Sequence, residues 1–208
     1  MEKRVLIGGS PTAGKSYTAR KIAEELKLPW ISTDTIREMM RKIVRKEDYP
    51  ALFLHADATP EMGIDFLNNN SAEEIVWVIN EESKDTWKGV KALLETDYVF
   101  KSYIIEGVAI VPNLIKNFIA KNKDVVVLFL IDEDIERVRK TIFTRGLWDD
   151  AKKYPDDIKE KEVEWVIAFN NYIKKEAKKY GFPVVIVGNR KDYIKKIKNL
   201  INTSSPKS

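Results

Sequence analysis

The chain has 208 residues, 44% of them hydrophobic, with 36 Lys and Arg against 32 Asp and Glu, one histidine and no cysteine. This length suits a single domain with its own core, and the cysteine and histidine counts exclude disulfides, thiolate metal sites, cysteine nucleophiles and histidine clusters. The sequence contains no apolar stretch approaching the roughly 18 residues of a membrane span, so we expect a cytoplasmic protein.

The net charge of +4 is unevenly distributed along the chain. Residues 171–208 carry ten Lys and Arg against only Glu176 and Asp192, whereas the first 170 residues have a net charge of −4. A basic segment of this kind attracts polyanions such as nucleic acid, although it is more often the solvated face of terminal helices.

Short, β-branched apolar runs alternate with segments of helical periodicity. The predicted strands are residues 5–7, 30–31, 103–105, 125–131 and 184–187, and the predicted helices are residues 15–26, 35–45, 72–95, 112–120, 156–180 and 191–201. The runs are apolar without alternation, which is typical of parallel strands covered by helices on both faces. We therefore predict an α/β fold, a three-layer sandwich around a five-stranded parallel sheet, as one domain over residues 1–202 with a polar tail at 203–208.

The segment Gly9-Ser10-Pro11-Thr12-Ala13-Gly14-Lys15-Ser16 follows the first strand, opens the first helix and has the spacing of a P-loop, or Walker A motif. Glycines let backbone N–H groups curl around a phosphate, and the helix adds its positive end. Lys15 supplies charge to the β- and γ-phosphates, and the Ser16 hydroxyl is a ligand for Mg²⁺. These residues, with Tyr17, are predicted to bind Mg²⁺-ATP, which makes the fold a P-loop NTPase sandwich.

Asp34 and Arg37 follow the second strand, at the sheet edge where ligands of such folds bind. A carboxylate there can accept the proton of an attacking hydroxyl, while the arginine grips an anionic group of the acceptor. This division of roles favours a kinase. The alternative is that Asp34 or Thr35 caps the next helix, since Thr35 and Glu38 have the spacing of a capping box.

Glu106 and Gly107 end the third strand beside the P-loop. The acid is predicted to hold Mg²⁺ directly or through water, and the glycine to leave room for the acceptor. The alternative is a structural pairing of Glu106, for example with a neighbouring helix terminus. Asp132, after the fourth strand, is a second candidate for the metal.

Arg137, Arg139 and Arg145 follow the fourth strand, where a helix is expected to lead into a mobile lid at about residues 137–155. Lid arginines can neutralise a transferred phosphoryl group, and we predict Arg139 and Arg145 to be catalytic, although arginine is also a common surface cation. Asn189, after the last strand, is predicted to contact the adenine edge.

Three blocks, IGGSPTAGKS at 7–16, TDTIREMMRKI at 33–43 and IEGVAIVP at 105–112, resemble the small P-loop kinases of the adenylate-kinase-like group, most closely the kinase domain of 2-phosphoglycerate kinase. The resemblance implies ATP as donor and an acceptor bound between the second-strand loop, the long middle helix and the lid. Where that family tends to show Glu-Gly-Val-His, this chain has Ala109 in place of the histidine.

The leading hypothesis is an ATP-dependent phosphotransferase acting on a small anionic metabolite such as 2-phosphoglycerate. The runner-up is a polynucleotide or nucleoside 5′-hydroxyl kinase, since Asp34 and Arg37 also resemble its acceptor motif and the C-terminal lysines could follow a nucleic-acid backbone. An alternative of another class is an ATP-dependent regulatory binding module, in which phosphoryl transfer is incidental. The sequence does not predict an oligomeric state.

Overall fold

The computed structural model describes residues 3–96, 101–147 and 151–203. Its strands are β1 (Arg4–Gly9), β2 (Trp30–Ser32), β3 (Tyr103–Glu106), β4 (Val125–Ile131) and β5 (Val184–Ile186). Its helices are α1 (Lys15–Leu26), α2 (Thr33–Ile43), α3 (Pro60–Asn69), α4 (Ala72–Leu94), α5 (Pro112–Lys121), α6 (Ile135–Thr144), α7 (Asp156–Lys179) and α8 (Arg190–Thr203), with a 3₁₀ turn at Pro50–Phe53. In the described ranges no helix is both long and apolar enough to cross a membrane.

The five strands form one sheet in the order β2-β3-β1-β4-β5, and every neighbouring pair is parallel. Strand β1 lies at the centre, where Ile7 is opposite Glu106 of β3 and Gly9 is opposite Leu130 of β4. Because parallel strands end at a common edge, the loops that follow β1, β2 and β3 meet there. The predicted α/β fold with a five-stranded parallel sheet is confirmed.

Two hydrophobic cores lie on opposite faces of the sheet, which confirms the three-layer arrangement. Val127 and Phe129 of β4 pack into the core under α4, α5, α6 and α7, whereas Val126 and Leu128 pack under α1 and α8. Strand β4 is buried along its whole length, as its uninterrupted apolar run predicted.

Helix α2 begins two residues earlier than predicted, and neither Asp34 nor Thr35 is its N-cap. The Ser32 side chain accepts a hydrogen bond from the Asp34 N–H at 3.1 Å and so caps the helix. The capping interpretation of Asp34 and Thr35 was therefore wrong, because Ser32, two residues before Asp34, is the N-cap and accepts from the Asp34 N–H. The Asp34 carboxylate is left available for another role.

Helix α3 was not predicted, although its start carries ordinary signals. Thr59 accepts a hydrogen bond from the Met62 N–H at 3.3 Å, and Pro60 occupies the first turn, where its missing N–H costs nothing. Its ten residues include Gly63 and bury only Leu67 completely. A segment of only ten residues with Gly63 near its centre, a residue that disfavours helix by about 1 kcal/mol relative to alanine, gives a weak helix prediction from sequence.

Gly9 is the position where the sheet leaves no space for a side chain. Its φ is +137°, and a Cβ built there would lie 1.9 Å from the Leu130 carbonyl oxygen. We expect Gly9→Ala to lower the free energy of unfolding by about 2–4 kcal/mol, because the clash is with backbone that cannot move aside. Gly188→Ala is the matched control: a Cβ there meets no atom within 4 Å, and its effect should stay within about 0.5 kcal/mol. Equal urea midpoints for the two variants would contradict this account.

Candidate active site at the carboxyl edge of the sheet

The P-loop between β1 and α1 has positive φ values at three positions: Gly9 (137°), Thr12 (64°) and Gly14 (73°). Gly14 is the N-cap residue of α1 and has no side chain to cap the helix, so the first N–H groups can be offered to an anion. The first turn of α1 contains no acidic residue. The loop thus has the backbone and charge of a phosphate site.

Thr12 is a strained member of this loop. Left-handed backbone is costly for a β-branched residue, by roughly 1–3 kcal/mol. Its side-chain oxygen is also buried and makes no hydrogen bond to any described residue. Strain and an unsatisfied hydroxyl at the same residue are typical of a site that is completed by its ligand.

Lys15 lies across the P-loop, 8% exposed, and its Nζ donates a hydrogen bond to the Ser10 carbonyl at 2.7 Å. Burial lowers the pKa of the Lys15 ammonium, while the charges of Glu106 and Asp34 act in the opposite sense. The positive charge of Arg145 lowers the Lys15 pKa further, by less than burial does. The structure therefore brings the predicted donor-side and acceptor-side residues together around Lys15.

Glu106, at the end of β3, is 1% exposed and lies in register with Ser32 of β2 and Ile7 of β1. Burial raises its pKa, whereas the charge of Lys15 and the hydroxyl of Ser16 lower it. Its Oε1 receives no hydrogen bond from the described part of the chain. A buried carboxylate oxygen of this kind, beside the Ser16 hydroxyl, fits a Mg²⁺ ion or its bound water.

Asp132, the other candidate for the metal, is already engaged. Its Oδ2 accepts from Arg137 Nε at 2.7 Å, and its Oδ1 accepts from the Asp134 N–H at 3.0 Å and from Arg137 Nη2. Arg137 Nη2 also donates to the Val187 carbonyl at 2.9 Å. This pair joins the ends of β4 and β5, which favours Glu106 for the metal role.

Asn170 of α7 is a buried connection that sequence reasoning missed. Its Oδ1 accepts from the Ser10 hydroxyl at 2.7 Å and from the Asp132 N–H at 3.1 Å, and its Nδ2 donates to the Asp132 carbonyl at 2.9 Å. The amide therefore attaches the P-loop to the end of β4. In the sequence, Asn170 could have been recognised only as a polar residue on the buried face of α7, four positions after Val166.

On the acceptor side, Arg37 approaches Asp34, with 3.3 Å between Nη1 and Oδ1. The Asp34 side chain is 59% exposed and that of Arg37 is 21% exposed, so both are accessible from solvent. Behind them lies Glu82 of α4, 6% exposed, which pairs with Arg41 at 3.0 Å. Glu82 and Arg41 were missed because their meeting depends on how α2 packs against α4.

Gly107 lies close against the start of α2, and its predicted place in the acceptor site stays a prediction. Its φ is +152°, and a Cβ there would lie 1.7 Å from Thr33 Oγ1. The space is filled by the first residue of α2. The glycine therefore allows α2 to start close against β3, which positions Asp34 indirectly.

The two predicted catalytic arginines of the lid differ in their surroundings. Arg139 pairs with Glu136 at 2.6 Å and with Glu160 of α7 at 2.9 Å, which ties α6 to α7. Arg145 Nε donates a hydrogen bond to the Gly146 carbonyl at 3.2 Å, and the Arg145 charge lowers the Lys15 pKa. Residues 148–150 of the predicted lid at 137–155 lie outside the described residues. Arg145 thus remains the better candidate to approach a phosphoryl group, and the lid itself stays a prediction.

Asn189 begins α8 rather than facing a ligand with its oxygen: its Oδ1 accepts from the Lys191 N–H at 3.0 Å. Next to it, the Arg190 guanidinium lies 4.6 Å from the centroid of the Tyr17 ring, and Tyr17 is 40% exposed. This accessible cation–π pair, which includes the residue directly after the P-loop, is a better candidate for contact with a base than Asn189.

Comparison with known proteins shows which sequences this chain resembles. It is 30% identical over 183 residues to a 2-phosphoglycerate kinase of Methanocaldococcus jannaschii, covering 87% of this chain and 57% of that protein. It is 31% identical over 191 residues to a 2-phosphoglycerate kinase of Methanothermobacter thermautotrophicus, covering 87% and 59%. The chain thus spans less than two thirds of the length of these relatives, and the resemblance stated from the three sequence blocks is confirmed.

The fold also matches a solved kinase. The structure of shikimate kinase from Acinetobacter baumannii in complex with shikimate has a TM-score of 0.56 and 14% identity, covering 100% of this chain and 97% of that one. No protein-family model matches the sequence. The overall fold is therefore shared with that kinase.

The buried amide of Asn170 generates a prediction. We expect Asn170→Ala to cost about 2–4 kcal/mol of stability, because the Ser10 hydroxyl and the Asp132 peptide lose buried partners. ATP affinity should fall as well, since Ser10 belongs to the P-loop. Asn171→Ala, at the exposed neighbouring position, is the control. Urea unfolding measures the stability of both variants, and calorimetry measures their ATP affinity. Equal losses of stability and affinity in the two variants would contradict the role assigned to the Asn170 amide.

The raised pKa of Glu106 predicts a pH dependence. Glu106 is ionised at a pH above its pKa in the folded protein, and it becomes protonated as the pH falls through that pKa. Because this pKa is raised above the ordinary value of 4.5, the negative charge is lost at a higher pH than for an exposed glutamate. The Mg²⁺ concentration that half-saturates ATP binding should therefore rise on acidification, more steeply for the wild type than for Glu106→Gln. Both proteins share the titration of ATP itself, so parallel curves would exclude Glu106 as a metal-site residue.

Proposed function

We propose that this chain is an ATP-dependent kinase that transfers the γ-phosphate to a hydroxyl group of a small anionic metabolite, with 2-phosphoglycerate as the first candidate. The observation that carries the proposal is the convergence of Lys15, Glu106, Asp34 and Arg37 at one edge of the sheet. The names of the relatives support the acceptor. 2-Phosphoglycerate has a carboxylate and a phosphate, either of which the Arg37 guanidinium can bind, and a free hydroxyl that can be phosphorylated.

ATP would bind with its phosphates in the P-loop. The N–H groups at the start of α1 and the Lys15 ammonium would contact the β- and γ-phosphates, with the base near Tyr17 and Arg190. Lys15 would exchange its present contact with the Ser10 carbonyl for phosphate oxygens. Ser16 and Glu106 would hold Mg²⁺, which when bound neutralises phosphate charge.

The reaction would be an in-line displacement at the γ-phosphorus. The acceptor oxygen forms the new O–P bond while the bond to the β-phosphate oxygen breaks, which leaves ADP. The exposed Asp34 carboxylate accepts the proton of the attacking hydroxyl. Arg37 orients the acceptor through its anionic group, and Lys15 with Arg145 stabilises charge on the transferred group.

A direct test is mass-spectrometric detection of product from Mg²⁺-ATP and 2-phosphoglycerate, with Lys15→Ala as control. We expect a product that carries one phosphoryl group more than 2-phosphoglycerate, two in all, and whose formation depends on Lys15, because that ammonium would contact the transferred phosphate. A 5′-hydroxyl oligonucleotide in parallel distinguishes the polynucleotide kinase, and ATP binding without any product would favour the regulatory module.

A second prediction concerns the proton acceptor. Asp34→Asn should lower kcat about 10²–10⁴-fold, the usual contribution of general-base catalysis, while the Kd for ATP stays near the wild-type value. Asp48→Asn is a matched control, since Asp48 is also a partly exposed acid that pairs with an arginine three residues away, Arg45. Steady-state kinetics of the three proteins measures this, and a normal kcat in Asp34→Asn would return the residue to a structural role.

A further inference from the structure

Arg37 and Arg41 lie one turn apart on α2, and two carboxylates lie between them. We call these two residues the arginine pair. Glu38 Oε1 is 2.6 Å from Arg41 Nη1 and 3.4 Å from Arg37 Nε. Glu82 Oε1 is 3.0 Å from Arg41 Nη2 and 3.7 Å from Arg37 Nε. Each carboxylate thus bridges both guanidinium groups.

The two carboxylates differ in how easily they can leave. The Glu82 side chain, from α4, is 8% exposed, and the Glu38 side chain, on α2 itself, is 54% exposed. Burial raises the pKa of Glu82, and the charges of Arg37 and Arg41 oppose that shift. Glu82 is therefore a buried counter-charge that stays in place behind the arginine pair. Glu38 covers the solvent-facing side of the pair and also lines a groove along α2 with Asp34 and Lys42.

The arginine pair is held ready for an anion. Arg41, whose side chain is 9% exposed, also donates from Nε to the Leu52 carbonyl at 2.5 Å, so its position is set by three elements. Arg37 has looser contacts, from 3.3 to 3.7 Å, with Asp34, Glu38 and Glu82. A preformed pair of guanidinium groups suits one carboxylate or one phosphate.

We propose that Glu38 occupies an anion subsite formed by Arg37 and Arg41, and that a carboxylate or phosphate group of the acceptor displaces it on binding. The inference rests on the proposed function, because it assumes an anionic acceptor. It assigns Arg41 as a second acceptor-binding residue and Glu38 as an internal competitor. Asp34 lies beside Arg37, so an acceptor anchored there presents its hydroxyl to that carboxylate.

The test compares Glu38→Gln with Glu81→Gln. Glu81 pairs with Lys84 at 2.5 Å, three residues away on α4, so the control removes the same charge and the same type of helical ion pair outside the site. Glu38→Gln should lower the KM for 2-phosphoglycerate about two- to fivefold, the equilibrium factor expected for an exposed ion pair. The KM for ATP should not change, and Glu81→Gln should match the wild type in both constants.

An unchanged acceptor KM in Glu38→Gln, or the same shift in Glu81→Gln, would overturn the inference while leaving the kinase intact. If the wild type phosphorylates no acceptor, the proposed function fails, and calorimetric titration of inorganic phosphate decides the inference alone. With the P-loop filled by a non-hydrolysable ATP analogue, phosphate should bind more tightly to Glu38→Gln and to Glu38→Ala than to the wild type. Equal or undetectable binding in all three would overturn it.

Discussion

The register of β1 between β3 and β4 is the constraint on which the site depends. Because Ile7 pairs with Glu106 and Gly9 pairs with Leu130, the P-loop leaves the sheet directly beside the acid of β3 and the end of β4. A shift of one residue would turn every buried side chain of β1 to the opposite core. The hydrophobic cores on both faces thus fix the geometry of the polar edge, and the chemistry of that edge follows from packing elsewhere.

Charge is arranged around this edge in two layers. In the inner layer, burial moves the Lys15 and Glu106 pKa values in the directions that disfavour charge, while each group's charge supports that of the other. In the outer layer, α2 presents Asp34 and Arg37 to solvent, and Glu82 supports the arginine from behind. The inner layer suits a metal and phosphates, whereas the outer layer suits a substrate that arrives from solution.

Local patterns predicted the donor side of the site better than the acceptor side. The P-loop is contiguous, so its spacing alone predicted Lys15 at the start of α1, directly after the glycine that caps this helix. Asn170 reaches Ser10 across 160 positions in sequence, and Glu82 meets Arg41 only because α4 packs on α2. The close contact between Gly107 and Thr33 was likewise not predictable from sequence, because it depends on the exact residue at which α2 starts.

The P-loop and the neighbouring end of β3 contain several energetically unfavourable features: the left-handed backbone of Thr12, the buried ammonium of Lys15, and a Glu106 oxygen without a hydrogen-bond donor among the described residues. Under the proposed function, a bound nucleotide would remove these costs in the folded state only, so nucleotide binding and global unfolding would be thermodynamically linked. The population of unfolded, protease-sensitive chains would then fall as the nucleotide concentration rises. The cost of this local geometry would thus make the lifetime of the folded protein depend on its substrate.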